Sequence, residues 1–215
     1  MSKIVIDIGH FNSDSGATNK VAREVDLNKI IADECVRQLT RHGVEVVVSS
    51  GSLQDRVKIE HDAKPDYFVS IHNNAGGGDG TEVLVYSKSN PQLALAQNIE
   101  NECLKLNNSR GIKERKDLYV LKNTKCPAII IECAFIDSID YECIDTVVEQ
   151  QAFGVAIAKG ILKTLGVEYK EEKKDDGTRY RICVGSFSDK TNADKMVKEL
   201  ESKGYKPFLV TYKIE

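Results

Sequence analysis

The sequence has no long apolar segment, and this absence excludes a membrane-spanning protein. Its apolar stretches, such as Ala128–Ile131, are far shorter than the roughly 20 residues that cross a bilayer. The N-terminus also lacks the apolar core and small-residue cleavage site of a secretory signal, because residues 1–3 lead directly into a predicted strand. We therefore expect no membrane insertion, and synthesis in the cytoplasm without export.

Other common classes are disfavoured by further absences. The 30 Lys and Arg residues are outnumbered by 33 Asp and Glu, so a net charge of −3 provides no basic field for nucleic acid. Six cysteines occur without a Cys-x-x-Cys pair, which predicts buried free thiols rather than a zinc knuckle or disulfides. No glycine-rich phosphate-binding motif follows the first strand, so a nucleotide-binding protein is disfavoured.

Strands and helices alternate over the first 167 of the 215 residues. Short apolar or β-branched runs predict strands at 3–7, 44–48, 67–71, 82–86 and 128–131, and Leu118–Leu121 predicts a short strand or turn. Helical spacing predicts helices at 25–39, 53–63, 91–106 and 147–165. This order predicts an α/β domain over residues 1–167, with a mixed, largely parallel sheet between helices.

A charged segment separates this domain from a short C-terminal unit. Residues 168–178 carry no aliphatic side chain, so we expect a linker. Residues 179–215 predict a small β-α-β module, with strands at 180–187 and 205–214 and an amphipathic helix at 188–203. The module is shorter than most units that fold alone.

Two of the four histidines end predicted strands. His10 follows the first strand and His72 follows the third. Ligands collect at the carboxyl ends of strands in open α/β sheets, so these side chains can converge. Glu24 opens the first helix, and its carboxylate would complete a His-Glu-His set of the catalytic zinc type. From these residues alone, hydrogen-bonded loop histidines and an ordinary glutamate in a first helical turn remain the alternative interpretation.

Glu132 stands where a buried strand favours an apolar side chain. It directly follows the apolar run Ile129–Ile131. A buried, unpaired carboxylate is costly, which argues for a partner or a function. Beside a metal ion it would accept a proton from water, whereas a solvent-exposed strand end is the other interpretation.

Four ordered segments resemble the motifs of the zinc-dependent type 3 family of N-acetylmuramoyl-L-alanine amidases. They are Ile6–His10, Arg23–Asn28, Val69–Ala75 and Pro127–Ile136, and they span most of residues 1–167. The resemblance implies Zn²⁺ held by His10, Glu24 and His72, with Glu132 as catalytic acid/base and with Asn74 and Arg110 contacting substrate. The sequence departs from the family after His10, where Phe11–Ser15 stands in place of the usual glycines.

The implied reaction is hydrolysis of the amide between N-acetylmuramic acid and L-alanine in bacterial peptidoglycan. Without a signal sequence, the implied setting is an endolysin or an autolysin that reaches the cell wall after release at lysis. A non-catalytic peptidoglycan-binding protein and a zinc hydrolase that cleaves another wall bond remain the alternatives.

The C-terminal module has a resemblance of its own. Tyr180–Ser188 and the residues after it resemble half of a sporulation-related (SPOR) repeat domain, which binds the glycan strands of peptidoglycan. Half a domain leaves a sheet edge and an apolar helix face uncovered. We therefore expect two copies of the chain to pair as a homodimer through residues 179–215.

Overall fold

The computed structural model describes residues 2–11, 13–89, 91–172 and 182–211. The chain divides into two compact units, Met1–Glu171 and Glu172–Glu215. No helix in the described ranges is long and apolar enough to cross a bilayer.

The described strands of the first unit form one six-stranded sheet. Its strands are β1 (Lys3–Ile8), β2 (Glu45–Ser49), β3 (Tyr67–Asn74), β4 (Thr81–Val85), β5 (Ser109–Glu114) and β6 (Ala128–Phe135). Their order is β2-β1-β3-β6-β4-β5, and every neighbouring pair is parallel except β4 with β6. The predicted mixed, largely parallel sheet is confirmed. The sequence patterns missed β5, because this edge strand is polar and interrupted by a glycine.

Helices cover both faces of this sheet. The helices are α1 (Glu24–Arg41), α2 (Leu53–Ala63), α3 (Gln92–Cys103), α4 (Tyr119–Asn123) and α5 (Val147–Thr164), with a 3₁₀ helix at Ile139–Cys143. One core lies between the sheet and α1, α3 and α5, and a smaller core lies under α2 and α4.

The predicted strand or turn at 118–121 is wrong, because this segment enters helix α4. The adjacent residues Val120 and Leu121 are both buried in the smaller core. A strand would point two successive side chains to opposite faces, whereas a short helix brings both onto the sheet.

Polar side chains fix where two of the helices begin. Ser52 and Asp55 form a reciprocal capping box at the start of α2, and Thr146 and Glu149 form another at the start of α5. Each box satisfies backbone N–H groups that the first helical turn leaves without partners. The predicted starts of α2 and α5 are both confirmed, and these capping boxes explain why the helices begin there.

The cysteines are all free thiols, as predicted. Cys35, Cys103 and Cys133 are fully buried in the larger core, and burial raises the pKa of each thiol, to about 12 for Cys103. Cys126 and Cys143 are only partly buried, and the expectation of burial is wrong for Cys183, which lies exposed in the second unit.

The second unit forms one helix among its described residues, α6 (Lys190–Ser202), close to its predicted position. Contrary to the prediction, residues 182–187 and 205–211 form no strand. A strand requires a second strand beside it, and no strand is assigned among the described residues of this unit. The predicted linker beyond residue 172 and the outer ends of both predicted strands lie outside the described residues.

Close packing of α5 on α3 provides a test of the larger core. A Cβ atom at Gly160 would lie 2.5 Å from the Cα atom of Ile99. We expect Gly160→Ala to lower the free energy of unfolding by about 1–3 kcal/mol, although alanine alone favours a helix by about 1 kcal/mol. Urea denaturation measures this change. The exposed Gln151→Ala on the same helix is the control, and equal stability of both variants would contradict the packing.

Candidate metal centre

The two histidines meet where adjacent parallel strands end. β1 pairs with β3 so that Ile8 lies beside Ile71, and His10 and His72 follow these residues. The ring centroids of the two histidines are 5.0 Å apart, in an edge-to-face arrangement. The sheet therefore brings together two side chains that are 62 positions apart in the sequence.

Glu24 lies between the two imidazoles. Its Oε2 atom is 3.1 Å from His10 Nε2, and its Oε1 atom is 2.9 Å from His72 Nδ1. One donor atom from each of the three side chains lies within 4.8 Å of the others. Glu24 is only 4% exposed, so this carboxylate is shielded from bulk water. The three residues could together hold a metal ion.

The contacts of Glu24 shift the proton affinities in this cluster. Burial favours a raised pKa for Glu24, but hydrogen bonds with His10 and His72 outweigh burial and hold the pKa far below its usual range. The hydrogen bond to Glu24 raises the pKa of His10 to about 9, against burial and with help from Asp14. Without a metal, both shifts favour a protonated His10 paired with an ionised Glu24.

Backbone and amide groups fix the carboxylate in position. The Ala17 N–H donates to Glu24 Oε2 at 2.9 Å, and the Asn73 N–H donates to Oε1 at 3.2 Å. The buried Asn28 amide donates to the Gly9 carbonyl at 3.1 Å and accepts from Asn73 Nδ2 at 2.8 Å. Asn28 was missed by the sequence analysis, although a polar residue within the apolar face of α1 is a signal for such a role.

The loop after His10 orients the imidazole despite its departure from the family pattern. Asp14 Oδ2 lies 2.8 Å from His10 Nδ1, and Asp14 Oδ1 accepts the Gly16 N–H at 3.1 Å. A Cβ atom at Gly16 would lie 2.5 Å from Glu24 Oε2, and its φ of +64° also favours glycine. A carboxylate on the outer nitrogen is a common support for a metal-binding histidine. Asp14 was also missed by the sequence analysis.

Glu132 lies on β6 directly beside His72 on β3. Burial raises the pKa of Glu132 to about 7, which His72 opposes and the charges of Glu24 and Glu82 reinforce. Its Oε2 atom is buried and has no hydrogen-bond partner among the described residues. A carboxyl group that titrates near neutral pH suits acid/base chemistry.

Glu82 joins the two residues expected to contact substrate. It lies opposite Glu132 in the antiparallel pair β4–β6. Asn74 Nδ2 donates to Glu82 Oε1 at 3.1 Å, while Arg110 Nε donates to Oε2 at 2.9 Å and Lys113 Nζ donates to the same oxygen. Burial favours a raised pKa for Glu82, but the two cations lower it overall.

Sequence analysis missed Glu82, although its signal matched that of Glu132. Both are charged residues within otherwise apolar strands. Arg110 also donates to the Asp79 carbonyl at 3.1 Å and lies over the Phe135 ring, 4.9 Å from its centroid. Glu82 therefore anchors a polar rim beside Glu132.

The site combines three side chains that could hold a metal ion with a carboxyl group whose pKa is raised to about 7. Both stand at the carboxyl ends of strands in an α/β sheet, where such folds bind ligands. These features define the class as metal-dependent hydrolases.

Comparisons with known proteins identify the family. The N-acetylmuramoyl-L-alanine amidase family model matches residues 4–163, and the SPOR domain model matches residues 158–211. The chain belongs to the N-acetylmuramoyl-L-alanine amidase family, which is metal-dependent, and it is a peptidoglycan amidase. The resemblance found in the sequence is confirmed.

Individual relatives agree with this assignment. The chain is 32% identical over 216 residues to the sporulation-specific N-acetylmuramoyl-L-alanine amidase of Bacillus subtilis (strain 168), covering 95% of this chain and 83% of that protein. It is 33% identical over 208 residues to the endolysin of Bacillus phage SPP1, covering 86% and 77%. The solved structure of the amidase AmiC2 of Nostoc punctiforme aligns with a TM-score of 0.72 and 31% identity, covering 77% of this chain and 97% of that one.

The hydrogen bond between His10 and Glu24 predicts how the stability of the metal-free protein depends on pH. Folding raises the pKa of His10 from 6.5 to about 9, so its stabilisation is complete below the unfolded pKa and is lost as pH rises through the folded pKa. We expect the Tm of chelator-treated protein to fall between about pH 6.5 and about pH 9. The upper part of this range lies above the pKa of Glu132, which is about 7.

Thermal unfolding with a chelator present measures this effect, and Glu24→Gln removes its cause. The variant should show a shallower fall in Tm than the wild type. Asp26→Asn, an exposed carboxylate in the same helical turn, is the control and should keep the wild-type slope. Identical slopes for wild type and Glu24→Gln would contradict the pairing.

Proposed function

We propose that the chain is a zinc-dependent N-acetylmuramoyl-L-alanine amidase in which His10, Glu24 and His72 hold Zn²⁺. The observation that carries the proposal is the approach of their donor atoms to within 4.8 Å of one another. Two imidazoles and one carboxylate match the ligand types of catalytic zinc sites, which keep a fourth position open. The contact between Asp14 and the outer nitrogen of His10 fits the same role.

Glu132 is the proposed acid/base. Zinc held by His10, Glu24 and His72 would supply a Lewis acid to polarise the scissile carbonyl and to make water more acidic. Glu132 accepts the proton of the attacking water and returns it to the departing amine of L-alanine. Burial raises the pKa of Glu132 to about 7 in the metal-free site, and a bound cation would lower it toward the ionised form that accepts the proton of water.

Asn74 and Arg110 are the proposed substrate contacts. Their shared hydrogen bonds to Glu82 hold both side chains beside Glu132. Arg110 is also partly exposed, and a guanidinium group is well suited to carboxylates of the kind that stem peptides carry. Glu82 thus supports the rim from a buried position.

The proposed organisation assigns catalysis to residues 1–167, a linker to residues 168–178 and wall binding to residues 179–215. The SPOR match over residues 158–211 supports the wall-binding role. We propose that the protein acts on the cell wall after release at lysis, as an endolysin. An autolysin is the alternative, and the relatives named above include a phage endolysin and a sporulation-specific amidase.

Replacing Glu132 separates catalysis from metal binding. We expect Glu132→Gln to retain one zinc ion per chain while its activity falls by about 10²- to 10⁴-fold, because the proton acceptor is lost. Atomic absorption measures the zinc, and labelling of new L-alanine N-termini in digested peptidoglycan measures the activity. The exposed Glu142→Gln is the control and should behave as the wild type does.

Other outcomes of this experiment identify the alternatives. If the wild type binds the wall but holds no zinc and releases no amines, a non-catalytic binding protein replaces the proposal. New amines other than those of L-alanine would identify a zinc hydrolase that cleaves another wall bond. Loss of zinc from Glu132→Gln would make Glu132 a ligand.

Dimerisation through residues 179–215 is a further part of the proposal. Ile182, Val184, Phe208 and Val210 are exposed apolar side chains on the segments that flank α6. A second copy would cover these apolar side chains and could pair with the two segments as strands. These segments are the parts of the predicted β-α-β module that form no strand in one copy.

Sedimentation equilibrium of the full chain at micromolar concentration tests the dimer. We expect the wild type to sediment as a dimer and Val184→Asp to sediment as a monomer, because a charge would be buried in the pairing surface. Val148→Asp adds the same charge at an exposed valine in the first unit and should leave the dimer intact. A strictly monomeric wild type would refute the pairing.

A further inference from the structure

Arg56 is a buried charged residue with no part in the proposed catalytic steps. It is 3% exposed and belongs to α2, which packs under the smaller core. Glu24 belongs to α1, on the opposite face of the sheet. Arg56 therefore approaches the end of β1 from the face that does not supply the carboxylate of the metal centre.

The guanidinium of Arg56 binds several acceptors at that strand end. Nη1 donates to Asp7 Oδ2 at 2.8 Å and to the Ile8 carbonyl at 2.6 Å. Nη2 donates to the His10 carbonyl at 2.9 Å, and Nε donates to the Gly51 carbonyl at 2.8 Å. The planar guanidinium thus contacts Asp7, Ile8 and His10, the residues that lead from β1 into the metal centre. The ammonium of a lysine is a point charge and would reach fewer of these acceptors.

The backbone of His10 needs such a support. Its φ is +62°, in the left-handed region that strains a residue with a side chain. Lys64 is the other non-glycine residue with positive φ in the described ranges, and it ends α2, where this conformation is common. His10 ends no helix. Its conformation instead turns the chain where the imidazole must face Glu24.

The ion pair of Arg56 with Asp7 is a poor device for stability alone. Asp7 Oδ2 accepts from Arg56 and from Ser70 Oγ at 2.6 Å. Asp7 Oδ1 is buried and has no partner among the described residues. A buried ion pair with an incomplete set of hydrogen bonds generally contributes less to stability than apolar packing does. The positions of the groups that Arg56 contacts are therefore more informative about its role than the stability of its ion pair with Asp7.

We propose that Arg56 is a positioning residue for metal binding, whose guanidinium holds His10 in the left-handed conformation that aims its imidazole at Glu24. The inference rests on the proposed zinc site. Asp7 orients the guanidinium, and the Arg56 contacts to the Ile8 and His10 carbonyls fix the strand end. Metal affinity should then depend on these contacts beyond their effect on fold stability.

Zinc affinity and stability of the metal-free chain are measured on the full-length protein and its variants. A competing chelator of known affinity gives the zinc dissociation constant, and urea denaturation gives the stability. We expect Arg56→Met to weaken zinc binding by about 10- to 100-fold, the range typical for residues that support a metal ligand. Arg56→Lys should give an intermediate loss, because an ammonium cannot reach all the acceptors.

A double variant separates positioning from stability. Arg56→Met alone also leaves the Asp7 charge buried without its cation, which destabilises the fold. The double variant Asp7→Asn with Arg56→Met removes that charge, so it should regain stability while its zinc affinity stays as low as in Arg56→Met. Ser70→Ala is the control, since it removes one contact of Asp7 and leaves His10 held, and it should bind zinc as the wild type does.

The outcomes distinguish this inference from the proposed function. Wild-type zinc affinity in the double variant, or affinity that simply follows stability across the variants, would overturn the positioning role. A wild type that binds no stoichiometric zinc, or binds it equally well after His72→Ala, would instead refute the zinc site itself.

Discussion

The burial of one carboxylate, that of Glu24, is the constraint on which the site depends. A carboxylate removed from water is costly unless its oxygens are hydrogen-bonded and its charge is balanced. Here Oε2 faces His10 and the Ala17 N–H, while Oε1 faces His72 and the Asn73 N–H. Satisfying this charge joins the start of α1, the loop after β1 and the end of β3. The arrangement that the charge requires is also one that a cation can occupy without rebuilding the strands.

A second pair of carboxylates shows how sheet topology separates two chemical roles. The antiparallel pairing of β4 with β6 places Glu82 opposite Glu132. Arg110 and Lys113 bind Glu82 and lower its pKa, while Glu132 is left with a raised pKa. The two neighbouring acids therefore differ in their pKa because their surroundings differ. Glu82 holds cationic side chains in place, and Glu132 is available for proton transfer.

The sequence predicted those features that follow from periodicity and from the polarity of strands. His10 and His72 could be predicted to converge because the carboxyl ends of parallel strands share one edge of the sheet. Glu132 stood out because a charge interrupted an apolar run. The roles of Glu82 and Arg56 could not be predicted from the sequence. That of Glu82 depends on strand register, and that of Arg56 depends on a helix that packs on the opposite face of the sheet. The strands expected at 180–187 and 205–214 needed a neighbour that periodicity does not specify.

The buried thiols of the larger core have a consequence for the conditions under which the fold persists. Disulfide exchange requires a thiolate, and burial keeps Cys35, Cys103 and Cys133 protonated at neutral pH. The folded first unit therefore does not rely on a reductant to protect its core from cross-linking. A transfer from reducing to oxidising surroundings leaves this core chemically unchanged, so its lifetime there is governed by the rate of unfolding.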